Sequence, residues 1–277
     1  MKTKATTRLL PFAKMQAIGN DFVVLHDPED AYDPSWAGFY RWLCDRHFGV
    51  GADGVILVKP SAVADLRYVH LNSDGSPAEL CGNGSRCFVW YAHHILGLGS
   101  VVEFEADGKV VRGRVKNEEV AVELSVPPEM RLRPGVLEER GLEEGGFVRV
   151  GVPHYVLFTP EVDTVDVAQL GRKYRYHPWF PAGTNVDFVQ VVGPNELRVR
   201  TYERGVEEET LGCGTGAVAA AAVGRALGRT GPELKLIFPG GSVDVRFQDA
   251  GGTVELRGPV ALVFLGETYL TRAPEEF

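Results

Sequence analysis

The chain reads as a succession of short β-forming runs separated by turns rich in Gly, Asp and Asn, broken by a few helical stretches. In the first half, residues 15–25 carry the polar turn Asn20-Asp21-Phe22-Val23 leading into a strand. A helix is expected over 36–46, and residues 46–58 read as a Gly-rich turn followed by a strongly β-forming run. The strand at 66–71 ends in Asn72-Ser73-Asp74-Gly75-Ser76, which is turn chemistry. A helix follows Cys81 as far as Leu96 and is stopped by Gly97. The runs 101–105 and 110–115 flank Ala106-Asp107-Gly108-Lys109 as a hairpin, and a strand at 120–126 ends at Pro127-Pro128.

The second half replays this order. Strands are expected at 155–158 and 185–189, with another opening at Leu197. A helix runs to Leu227 and is stopped by Gly228, followed by strands at 234–238, 243–247 and 254–257. Cys81-Gly82-Asn83-Gly84 and Cys213-Gly214-Thr215-Gly216 share the pattern Cys-Gly-x-Gly, each just ahead of its helix. Asn72 stands six residues past Leu66 and Glu203 six past Leu197; the cysteines follow at fifteen and sixteen. Asn185-Val186-Asp187-Phe188-Val189 pairs by similarity with Asn20-Asp21-Phe22-Val23. The expected fold is therefore α/β in the α+β sense, two similar β-rich lobes with one central helix each. A pseudo-twofold axis between them would aim both Cys-bearing helix starts into one cleft. Residues 1–11 are expected as a flexible tail, 12–127 as the first lobe and 128–265 as the second. The last run, 261–267, is expected to cross back, with 266–277 returning to the first lobe.

A length of 277 residues suits two domains, and 44% hydrophobic with 24% charged residues is ordinary for a globular protein. The net charge of −8 argues against nucleic acid or anionic membranes as partners. No apolar run approaches the roughly 20 residues of a membrane span, and the basic start lacks the apolar core of a secretion signal. A cytoplasmic location is the expectation. Four cysteines do not make a disulfide framework, and no Cys-x-x-Cys or His-x-x-x-His spacing suggests a metal. Cys44 and Cys87 fall within helices as core residues.

That leaves Cys81 and Cys213. A helix N-terminus offers unpaired N–H groups and positive potential, which favour anions and favour thiolate over thiol. Two thiols facing one carbon could remove a proton from one side and deliver one to the other, inverting a stereocentre. The glycine-exposed amides of Gly82, Asn83, Gly84, Gly214, Thr215 and Gly216 would take up the charge of an enolate-like state. Read alone, the two motifs could also be Gly-rich helix starts with incidental cysteines, or a thiol-redox or anion-binding module.

The segments Lys14-Met15, Gly19-Asn20-Asp21-Phe22-Val23, Cys81-Gly82-Asn83-Gly84-Ser85-Arg86-Cys87, Tyr202-Glu203-Arg204-Gly205 and Cys213-Gly214-Thr215-Gly216-Ala217 resemble those of the diaminopimelate epimerases. The resemblance runs over nearly the whole chain from about Phe12. It implies cofactor-independent interconversion of LL- and meso-diaminopimelate, in lysine and cell-wall precursor synthesis. It also implies two lobes, each a barrel-like sheet around a central helix, and a homodimer. The small-molecule substrate would meet Cys81 and Cys213 as the acid–base pair. Gly82, Asn83, Gly214 and Thr215 match the loops that bind the reacting carboxylate. Asn20, Asn72, Asn185, Glu203 and Arg204 match positions that hold the substrate, Arg204 suiting a distal carboxylate. His154 and Glu203 match groups that position the reacting amino group. Two positions depart: the family commonly has Asn before the Pro-His pair, and here it is Val152; in some members a Gln follows the Asp of Gly51-Ala52-Asp53, where this chain has Gly54. An epimerase or racemase of another amino acid on the same fold is the alternative that Val152 raises.

Overall fold

A computed structural model describes residues 8–126, 130–132, 141–248 and 252–277. The chain forms two compact units. One comprises the chain up to Ala17 with Asp21–Val120 and Val260–Phe277; the other comprises Ile18–Asn20 and Ala121–Pro259.

In the first unit, β1 (Arg8–Ala17) and β2 (Asn20–His26) form a hairpin, and α1 (Ala37–Cys44) leads to β3 (Gly54–Lys59). Then come β4 (Leu66–Asn72), the two-residue β5 (Pro77–Ala78), α2 (Gly82–His94), β6 (Val101–Ala106) and β7 (Lys109–Lys116). Strand β8 (Glu119–Ser125) starts here but belongs to the second unit from Ala121, pairing with its strand Thr253–Pro259. Strands β2 and β3 pair in parallel, β3 and β4 antiparallel, β4 and β6 in parallel, β6 and β7 antiparallel. Helix α2 packs on β1, β3, β4, β6 and β7. It is buried continuously from Gly82 to Val89, so it has no solvent face and the strands must surround it. Space is made on the strand side. A Cβ at Gly113 would lie 2.3 Å from the Val89 side chain.

The second unit repeats the plan. After β9 (Met130–Leu132) come β10 (Gly145–Val150), β11 (Val152–Phe158), α3 (Val167–Arg175) and β12 (Asn185–Gly193). They are followed by β13 (Glu196–Tyr202), β14 (Glu209–Thr210), α4 (Gly214–Ala226), β15 (Glu233–Phe238), β16 (Gly241–Phe247) and β17 (Thr253–Pro259). Strands β11 and β12 are parallel, β12 and β13 antiparallel, β13 and β15 parallel, β15 and β16 antiparallel. Helix α4, with four successive alanines, packs on β9–β13, β16 and β17. A Cβ at Gly146 of β10 would lie 2.9 Å from Val223 of that helix.

This pairing corrects the repeat as read from sequence. Strands β4 and β13 correspond, as the spacing from Leu66 and Leu197 indicated. The counterpart of β2, however, is β11 and not β12, because β2 and β11 are each the second arm of a hairpin and the first member of a parallel pair. Gly19 (φ 85°) and Gly151 (φ 66°) make the two matching turns, in a left-handed conformation that glycine adopts without steric cost. Asn20 therefore corresponds to Val152, not to Asn185. The similarity of Asn20–Val23 and Asn185–Val189 reflects the strand chemistry they share.

The last strand, β18 (Ala261–Leu270), runs antiparallel to β1 from Arg8↔Leu270 to Gln16↔Ala261. This pairing brings the chain back to the first unit at Val260, ahead of the expected 266, and it leaves the first unit at Val120 rather than 127. It also makes Arg8–Pro11 part of a strand and not of a tail, with Leu10 buried. Residues 1–7 of the expected tail lie outside the described residues. Cys44 packs in the first unit's core with Phe39, Tyr40, Leu43 and Leu57, and burial pushes its thiol up to about 12. Cys87 is fully buried inside α2. Among the described residues no helix is long and apolar enough to cross a membrane.

Candidate active site

Each cysteine of the repeated motif is the N-cap of its central helix. Cys81 has extended backbone, and Gly84 N–H donates to its Sγ at 3.5 Å. Cys213 is likewise extended, and Gly216 N–H donates to its Sγ at 3.3 Å. Sulfur thus stands where a cap oxygen of Ser or Asp would accept an otherwise unpaired helix donor. The glycine is required at both places. A Cβ on Gly84 would lie 2.6 Å from the Tyr68 hydroxyl, and one on Gly216 would lie 2.6 Å from Asp187 Oδ1.

Around Cys81, Leu80 N–H donates to Asp107 Oδ2 at 2.8 Å, tying the loop to the hairpin after β6. Asn83 is buried, and Arg86 Nη2 donates to its Oδ1 at 2.8 Å, fixing the amide's orientation. Arg86 is fully buried on the same helix, with Nε and Nη1 lacking hydrogen-bond partners. Burial lowers its guanidinium to about 10, offset in part by the Cys87 and Cys81 sulfurs. It sets a positive charge beneath the first turn. Asn72, at the end of β4, is exposed, and its Nδ2 donates to Ser76 Oγ at 3.1 Å. Asn20 opens β2 and is half-buried.

Around Cys213 the second unit gathers a fully buried polar cluster. The parallel register sets His154 of β11 directly opposite Asn185 of β12. Asp187 Oδ2 lies 2.7 Å from His154 Nδ1, and Asp187 Oδ1 accepts from the Thr201 hydroxyl at 2.8 Å. His154 Nε2 is 3.0 Å from Thr215 Oγ1, which is 3.6 Å from Cys213 Sγ. Asn185 Oδ1 accepts the Arg204 backbone N–H at 2.7 Å, which turns its Nδ2 toward His154 Nε2 at 3.5 Å. Glu203 accepts the Thr210 hydroxyl at 3.0 Å, and Arg204 Nη1 donates to the Ala182 carbonyl at 3.2 Å. His154, Asn185, Glu203, Arg204, Gly214 and Thr215 therefore all gather with Cys213 in this unit, while Gly82, Asn83 and Asn72 accompany Cys81 in the other.

The electrostatics at Cys213 depart from expectation. Burial pushes its thiol well above the usual range, and the Glu203 and Asp187 carboxylates push it further. The Thr215 hydroxyl and the Gly216 N–H oppose this and are outweighed. A helix N-terminus alone does not make this sulfur a thiolate, because losing water costs the charged form more than one amide returns. Asp187, Thr201 and Arg86 were not singled out from sequence. Asn185 and Asp187 are two apart on β12 and so face the same way, a period-2 polar pair among the apolar Val186, Phe188 and Val189. That was the available signal.

The diaminopimelate epimerase family model matches residues 12–127 and 146–263. The diaminopimelate epimerase of Aquifex aeolicus is 40% identical over 270 residues, covering 93% of this chain and 97% of that protein. That of Archaeoglobus fulgidus is 39% identical over 271 residues, covering 93% and 95%. Among solved structures, a phenazine biosynthesis protein of Bacillus anthracis superposes with a TM-score of 0.76 at 13% identity, covering 95% of this chain and 100% of that one. A hydroxyproline epimerase from Agrobacterium vitis reaches 0.64 at 19% identity, covering 95% and 92%. These structural likenesses establish the fold, and the sequence matches establish more: the chain belongs to the diaminopimelate epimerase family.

Proposed function

We propose that the chain interconverts LL- and meso-diaminopimelate without a cofactor, Cys81 and Cys213 acting on opposite faces of one α-carbon. The observation that carries this reading is the paired N-cap geometry: two sulfurs, each accepting a helix N–H, each followed by glycine. In one direction one thiolate takes the α-proton and the other thiol supplies a proton to the far face; in the reverse direction the roles exchange. The backbone N–H groups of Gly82 and Asn83, and of Gly214 and Thr215, receive the reacting carboxylate and its growing enolate charge. Glu203 and His154 position the reacting amino group. Arg204 offers a bidentate partner to the distal carboxylate, and Asn20, Asn72 and Asn185 complete the hold on substrate. Val152 leaves one edge of the pocket without the amide common in the family.

Incubating the protein with LL-diaminopimelate in heavy water tests this directly. The expected result is conversion to the meso form with one solvent deuteron in early product. Inversion without solvent deuterium would remove the two-thiol reading. No conversion by folded, reduced protein would point to another amino acid as substrate.

We also infer a homodimer, and the cytoplasm as its location, where free thiols stay reduced. The outer face of β18 supports the dimer: Leu265 is 61% exposed, Tyr269 64% and Val263 54%, an apolar patch of the kind that marks an interface. Leu265→Glu is expected to shift the sedimenting species from dimer to monomer without unfolding it. A wild-type chain that sediments as a monomer would refute the inference.

A further inference from the structure

We propose that Arg175 is a positioning residue for the distal end of the substrate: its guanidinium clasps the two loops that hold Arg204, and so sets the reach of Arg204 toward the distal carboxylate. The proposal rests on the reading of Arg204 as the group that meets that carboxylate.

Helix α3 is the platform. Asp166 caps it by accepting Gln169 N–H at 3.0 Å, and Val167, Gly171 and Tyr174 form its buried face. A Cβ at Gly171 would lie 2.4 Å from the Tyr202 side chain, so the helix presses on the end of β13 that leads into Glu203 and Arg204. Tyr174 is fully buried, its ring edge-on to Tyr155 at 5.4 Å. Arg175 is the last residue of α3 and so extends from a fixed base.

Its side chain is 14% exposed and touches two segments. On one side, Nε and Nη2 donate to a single Glu207 oxygen at 3.0 and 2.8 Å. That oxygen also accepts Gly205 N–H at 3.0 Å, and Glu207 N–H donates to the Glu203 carbonyl at 2.8 Å. Glu207 stands at φ 62°, a left-handed conformation that a residue other than glycine keeps where its surroundings hold it. On the other side the guanidinium crosses the turn at Gly183, where a Cβ would lie 1.7 Å from Nη1. The preceding residue, Ala182, gives its carbonyl to Arg204 Nη1 at 3.2 Å. The backbone around Arg204 and the carbonyl that steadies its guanidinium thus belong to different loops, and Arg175 joins them. A bidentate grip on a carboxylate needs a planar fork aimed in advance. Loosening that aim costs binding at the distal end and leaves proton transfer at the α-carbon untouched.

Steady-state kinetics with LL-diaminopimelate test this. Arg204→Met is expected to lower kcat/KM about 100-fold, the worth of a charge-assisted bidentate contact. Arg175→Met keeps most of the side-chain volume and removes the fork; it is expected to lower kcat/KM about 10-fold through KM, with kcat within about twofold of wild type. In the Arg204→Met background the same substitution should change kcat/KM by less than about twofold, because a residue that acts through Arg204 then has nothing to act on. Equal losses in both backgrounds, a fall in kcat at unchanged KM, or a folded Arg175→Met protein with the wild-type KM would overturn the proposal. Should Arg175→Met not fold, Glu207→Gln takes its place. A KM raised about threefold by weakening the clasp, and not raised further in the Arg204→Met background, supports the proposal; an unchanged KM overturns it. Arg204→Met with the wild-type KM would instead remove the reading of Arg204, and this proposal with it, leaving the two-thiol chemistry to the heavy-water experiment.

Discussion

Cys81→Ala and Cys213→Ala are each expected to lower net epimerisation by at least about 10³-fold, toward the upper range of what a positioned acid or base supplies. The two losses differ in a way that identifies the chemistry. A variant with one thiol left can still take an α-proton from the face that thiol addresses and return a deuteron to the same face. Each single variant should therefore wash solvent deuterium into one configuration at the reacting carbon without inverting it, and the two variants should act on opposite configurations. Mass spectrometry of recovered LL- and meso-diaminopimelate after incubation in heavy water reads this. Both variants exchanging the same isomer, or both still inverting, would remove the assignment of one thiol to each face. The environments of the two thiols differ: Cys213 is 5% exposed, whereas Cys81 is partly open.

The largest stability effect is expected at a buried ion pair of the first unit. Lys59, at the end of β3, is 1% exposed and donates to Asp27, 2% exposed, at 2.7 Å. Asp27 also accepts the backbone N–H groups of Ala31 at 2.7 Å and Tyr32 at 2.9 Å, and Lys59 reaches Asp30 at 2.5 Å. The pair closes the loop after β2 onto the parallel strand beside it. Lys59→Met leaves a carboxylate buried without its cation and is expected to cost about 3–5 kcal/mol, a fall of roughly 10 °C in Tm. The double variant Lys59→Met, Asp27→Asn should recover more than half of this, because it removes the unpaired charge as well as the pair. Thermal denaturation of the two single variants and the double variant measures the coupling. Additive losses would mean that the pair is solvated in the folded protein.

Much of this molecule was legible in its sequence for local reasons. The helix starts announce themselves because a cap residue, two glycines and an apolar run lie next to one another, and capping is a matter of a few consecutive residues. The hairpin around Asp107-Gly108 and the strand opened at Leu66 or Leu197 are local in the same sense. The repeat was legible as an order of elements, yet its first strand was matched to the wrong partner. Asn-x-Asp-Phe-Val and Asn-Asp-Phe-Val look alike wherever a polar turn enters a buried strand. Which strand is equivalent to which depends on pairing partners that sequence similarity does not report.

The sequence by itself therefore determined two helix N-termini bearing thiols, the β-rich frame around each central helix, and the family. The tertiary structure decided what surrounds those thiols. His154 and Asn185 stand 31 residues apart and meet only because β11 and β12 run parallel in one register, which carries Asp187 to the histidine and Thr215 between histidine and sulfur. The charge state of Cys213 was decided there as well. A helix N-terminus acts over one turn and is written in the local chain. Desolvation is the sum of everything packed around the sulfur, and only the folded chain sets it.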